Sequence, residues 1–169
     1  MKYLSLFIGL MFASVSFAST LEEGYEAVRS GKLEEGFAIL SPLAEKGDSE
    51  AQYGVAILYK EGWGTDKNPE KALEYYEKAA EQGHINAMFY TAAAYQSGTG
   101  VTKDFSAAAK WYEQAANKGH AAAMYGLGSL YYNGLGVERN DAIAETWISK
   151  SADAGFTLAS EFLKQKFMK

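Results

Sequence analysis

Gly47, Gly83, Gly119 and Gly155 stand 36 residues apart. Ala51, Ala87, Ala123 and Ala159 keep the same step, as do Tyr59, Tyr95 and Tyr131, then Gly62, Gly98 and Gly134, then Gly64, Gly100 and Gly136. Tyr75, Trp111 and Trp147 form an aromatic column, and Ala80, Ala116 and Ala152 close each interval. A period of this length marks an architecture in which one supersecondary unit stacks on copies of itself. One such unit cannot bury its apolar face alone, so three or more are needed for a continuous core.

Each interval reads as two helices. In the first, a helix over about 50–61 places Ala51, Val55, Leu58 and Tyr59 on one stripe. Gly62-Trp63-Gly64 ends it, because glycine adopts the backbone angles a helix end demands. After a short polar loop, Asn68-Pro69 reads as an N-cap and first helical position. Asp104 and Asn140 hold the same slot one and two periods later. The second helix turns Ala72, Tyr75, Tyr76, Ala79 and Ala80 inward and stops at Gly83. Small residues at fixed places let helices approach closely, and the aromatic columns fill the wider gaps.

This predicts three units, at 48–83, 84–119 and 120–155. A tighter helical hairpin over 19–47 caps them on one side, and a helix over 156–169 with Glu161, Lys164 and Lys166 caps the other. Residues 1–18 have a different character. Lys2 precedes an apolar run from Tyr3 to Phe17 that ends in Ser16-Phe17-Ala18, the layout of a secretory signal peptide cleaved after Ala18. The run is short for a membrane span, and no later stretch is long and apolar enough to make one. The expected location is therefore the periplasm or the exterior, where a chain without cysteine relies on packing alone.

Composition narrows the chemistry. With 16 basic and 21 acidic residues, the net charge of -5 offers no basic excess for phosphate, which argues against nucleic acid. Two His and no Cys exclude zinc fingers, disulfide frameworks and cysteine nucleophiles. His84 and His120 follow helix-ending glycines in a slot that Asp48 shares. They read as capping positions, too far apart in stacked units to share a metal. Neither a Gly-x-Ser-x-Gly elbow, a His-Glu-x-x-His motif nor a Ser or Thr with Lys three residues later is present. The Gly-x-Gly pairs lack the strand and lysine of a phosphate loop. Glu34, Glu35, Glu74 and Glu77 read as solubilising charge on exposed faces, and Trp63 as tucked beneath its loop. No cofactor or metal is expected.

The motif Tyr125-Gly126-Leu127-Gly128, then Tyr131-Tyr132-Asn133-Gly134-Leu135-Gly136-Val137, with Ala109-Lys110-Trp111-Tyr112-Glu113-Gln114-Ala115-Ala116 before it, resembles the Sel1-like repeat, a relative of the tetratricopeptide repeat. Thr65 in place of the usual Val, and Ile148 in place of an aromatic, are departures. The resemblance implies an all-α, right-handed superhelical solenoid of antiparallel helix pairs, with first helices on the concave face. It implies adaptor or scaffold roles, often in the bacterial envelope. Some cysteine-rich relatives are linked to penicillin binding or weak β-lactam hydrolysis, and others act as immunity partners of toxins.

By analogy with tetratricopeptide geometry, the groove positions are Glu50, Tyr53, Ile57, Lys60 and Glu61, then Asn86, Phe89, Ala93, Gln96 and Ser97, then Ala122, Tyr125, Ser129, Tyr132 and Asn133. Of these, Tyr53, Ile57, Lys60, Phe89, Gln96, Tyr125, Ser129, Tyr132 and Asn133 are the candidate partner-binding residues. The row Tyr53, Phe89, Tyr125 has two open readings, a groove lining or an internal packing row. Gln96, Tyr132 and Asn133 are the positions expected to be exposed. The expected function is a non-catalytic interaction module of the envelope that holds a protein or peptide in its concave face. The alternatives are an immunity or inhibitor protein that neutralises a toxin or enzyme, and a weak cell-wall or β-lactam-type hydrolase.

Overall fold

A computed structural model of the chain describes residues 20–167; the signal-peptide reading falls outside them. The described part of helix α1 covers 20–29. There follow α2 (Leu33–Glu45), α3 (Ser49–Glu61), α4 (Pro69–Glu81), α5 (Ile85–Ser97), α6 (Phe105–Asn117), α7 (Ala121–Asn133), α8 (Asp141–Asp153) and α9 (Thr157–Phe167). No strand occurs among the described residues. From α2 onward, extensive packing joins each helix only to the next one along the chain. The fold is thus an all-α solenoid.

Local chemistry sets each joint. The side chains of Asn68, Asp104 and Asn140 cap α4, α6 and α8 by accepting backbone N–H groups of their first turns. The backbone N–H groups of the same three residues donate to the carbonyls of Tyr59, Tyr95 and Tyr131, so every loop is tied to the helix before it in one way. First helices end in left-handed Gly62, Gly98 and Gly134. Two residues on, Gly64, Gly100 and Gly136 again have positive φ, and a Cβ there would strike backbone atoms of Leu33, Pro69 and Phe105. Glycine at this place lets each loop press on the start of the preceding unit's second helix.

Alanine dominates the core. Ala79, Ala87, Ala108, Ala115 and Ala123 are fully buried, with Tyr76, Tyr112, Leu127 and Leu130 filling the space between them. A smaller cluster of Leu40, Leu43, Val55 and Leu58 joins α2 to the first unit. The stripes read from the sequence face inward, with Tyr59 and Tyr75 half-buried at its margin. Two surface expectations need correction. Trp63 is 44% exposed, between Gly62 and Gly64, of which Gly64 lies against the backbone of Leu33. Glu77 is half-buried and accepts the Tyr95 hydroxyl at 2.7 Å, a bond between consecutive units.

Candidate functional site

His84 and His120 cap α5 and α7, each with Nδ1 accepting a backbone N–H (of Ala87 and Ala123) at 3.1 Å. Asp48 does the same for α3 through its carboxylate. Each imidazole also stacks on an aromatic ring of the unit before it. His84 lies on Tyr53, with centroids 4.4 Å apart, and His120 on Phe89. Phe156 occupies the slot in the next period and packs on Tyr125 at 5.5 Å. The row Tyr53, Phe89, Tyr125 is therefore half-buried, and it connects neighbouring units through the residues at 84, 120 and 156. Both columns are plain in the sequence, but their adjacency is not.

The other groove candidates divide. Lys60 lies over the Tyr90 ring at 5.0 Å and pairs with Glu61 at 2.8 Å. Gln96 is half-buried and accepts the Tyr112 hydroxyl at 2.7 Å. Tyr132 is half-buried, edge-on to Phe162, with Arg139 and Lys166 over its ring. Asn133 is exposed and donates to the Ser129 carbonyl. Ser129 and Ile57 are half-buried, Ile57 against the main core. Of the three positions expected to be open, only Asn133 is; the other two bond across to ring systems.

A cavity of about 340 Å³ opens between first helices α3 and α5, with α4 as its floor. Lys60, Glu61, Ala93 and Ser97 from the expected groove positions line it, and Tyr76 and Tyr90 form its aromatic wall. Tyr76 and Tyr90 stack at 5.1 Å. Burial pushes the phenols of Tyr53 and Tyr112 up to about 12 and that of Tyr76 higher still, so all three remain hydroxyl donors at physiological pH. The Tyr76 hydroxyl is buried and has no hydrogen-bond partner among the described residues. Sequence reasoning placed Tyr76 in the core and passed over Tyr90 and Ala94; the signal that marks them is their departure from their own columns.

Comparison with known families matches the Sel1 repeat three times in succession, at 49–84, 85–120 and 121–156. The chain belongs to the Sel1 repeat family. Among solved structures, a Sel1 repeat protein from Oxalobacter formigenes is 34% identical, with a TM-score of 0.76 over 83% of this chain and 56% of that one. The protein c5321 from uropathogenic Escherichia coli, described as a protective antigen with this repeat fold, is 32% identical, with a TM-score of 0.81 over 84% of this chain and 31% of that one. Cysteine-rich protein B of Helicobacter pylori shares the fold at 22% identity and a TM-score of 0.62. This Sel1 repeat chain spans about half and about a third of the lengths of the first two relatives. No curated protein matches it.

Proposed function

We propose that this Sel1 repeat chain is a non-catalytic interaction module of the bacterial envelope, holding a protein or peptide on the face built by its first helices. The observation that carries this reading is the cavity between α3 and α5, where residues from two consecutive units converge around a mostly apolar hollow. Apolar hollows with a few polar groups at the rim suit a peptide side chain. Residues 1–18 supply the route to the envelope, as a signal peptide removed after Ala18. No helix among the described residues is long and apolar enough to cross a membrane. The hairpin of α1 and α2 and the helix α9 serve as the caps of the stack.

The test is affinity capture from envelope extract with the chain as bait, beside Asn86→Arg and Asn133→Arg. Both asparagines are exposed on first helices, so each variant adds bulk and charge to that face without disturbing the core. Retention of one dominant partner by the wild type, with loss in the variants at unchanged helicity, is the expected result. Undiminished capture by both variants sinks the concave-face reading. A toxin or enzyme as that partner, silenced on binding, would make the chain an immunity or inhibitor protein. Turnover of a chromogenic cephalosporin by the pure chain would overturn the non-catalytic reading.

A further inference from the structure

The repeats supply their own reference for the cavity. Residue 94 has Leu58 one period before it and Leu130 one period after. Both leucines are essentially inaccessible, Leu58 in the cluster that joins α2 to α3 and Leu130 in the main core. In the middle unit the residue is Ala94, half-buried on the cavity wall. The hollow thus includes the place where the units on either side keep a leucine side chain.

Tyr76 departs from its column in a matching way. Tyr112, its counterpart, donates its hydroxyl to Gln96. The residue one period before Gln96 is Lys60, a donor that cannot accept. Lys60 instead rides on the Tyr90 ring and pairs with Glu61. The ring of Tyr90 itself stands where the flanking units have Gly54 and Gly126, and it stacks on Tyr76. Tyr76, only 3% exposed, lines the cavity, while its hydroxyl is covered and lacks a partner among the described residues.

We propose that this cavity receives an aliphatic side chain of about leucine's size from a bound peptide, seated against Ala94 and the rings of Tyr76 and Tyr90. The inference rests on the peptide-binding reading of the first-helix face and names what that face selects.

The probe is N-acetyl-leucinamide, titrated into the full chain while the Ala94 methyl signal is followed by NMR. A saturable shift is expected, at about tenfold lower concentration than N-acetyl-alaninamide requires, as the lost aliphatic contact implies. Ala94→Leu fills the hollow as Leu58 and Leu130 fill theirs, and should abolish the response of the neighbouring Ala93 methyl. An absent shift, equal response to the alanine probe, or an unaltered response in Ala94→Leu overturns the pocket. The two readings fail separately. Partner capture by Ala94→Leu at wild-type strength removes the pocket and leaves the groove standing. Capture undiminished in Asn86→Arg and Asn133→Arg, with the probe still saturating Ala94, removes the groove and leaves the pocket.

Discussion

The imidazole of His120 lies flat on the Phe89 ring, with centroids 4.7 Å apart and planes 16° from parallel, while its Nδ1 accepts the N–H of Ala123. Only a neutral imidazole can accept at that nitrogen. Burial lowers the affinity of His120 for a proton, in keeping with this role. As pH falls through the ordinary histidine range near 6.5, the unfolded chain takes up the proton first, so stability declines. Above that range the contribution is fully present. Urea midpoints at pH 7.5 and pH 5 should therefore differ more for the wild type than for His120→Asn, which caps α7 at either pH. Equal differences would exclude the histidine as the source.

Thr91 is fully buried, and its hydroxyl has no hydrogen-bond partner among the described residues. Its column holds Val55 one period before and Leu127 one period after. Thr91→Val keeps the shape and removes a desolvated hydroxyl, so it should stabilise the chain by about 1 kcal/mol. Chemical denaturation reads this directly; a loss of stability would show that the hydroxyl has a partner in solution.

Two tyrosines in one column should respond oppositely to the same change. Tyr112→Phe removes a donor from Gln96 and should cost about 1 kcal/mol. Tyr76→Phe removes an unpartnered hydroxyl and should be neutral or stabilising. Thermal unfolding of the two variants side by side makes the comparison, and equal losses would contradict the bonding pattern described.

Gly100→Ala should cost about 2 kcal/mol or more, since φ there is +73° and the new methyl would drive into the Pro69 carbonyl. Gly119→Ala shares the positive φ, but its Cβ meets nothing within 4 Å. Its smaller loss in denaturant midpoint isolates the strain from the collision. Similar losses would mean that the loop yields.

Much of the fold is legible in the chain because it is said three times. Spacing alone places the paired helices, and the caps at Asn68, Asp104 and Asn140 follow from their slot and residue type. The capping role of His84 and His120 could be read from Asp48 in the same place. Relations between columns are harder. Nothing in the spacing shows that residues 60, 76 and 90 meet, so the lost acceptor at Lys60 and the ring at Tyr90 become meaningful only once α3, α4 and α5 are packed. Trp63 was misread because periodicity locates a loop without giving its interior volume. Gln96 and Tyr132 were misread because their variation along the repeat reflects different ring partners and not solvent.

Because the most extensive packing of each helix is with its neighbours along the chain, damage in this molecule should stay local. A destabilised unit would loosen its two neighbours and leave more distant ones intact, so unfolding can halt partway and amide exchange should fall into blocks along the axis. The joint between the first and middle units, where a leucine is missing and the buried hydroxyls of Tyr76 and Thr91 lack partners among the described residues, is the natural breaking point of such a rod. A peptide seated there would act as a splint, joining the two halves of the stack at the joint where they hold each other least.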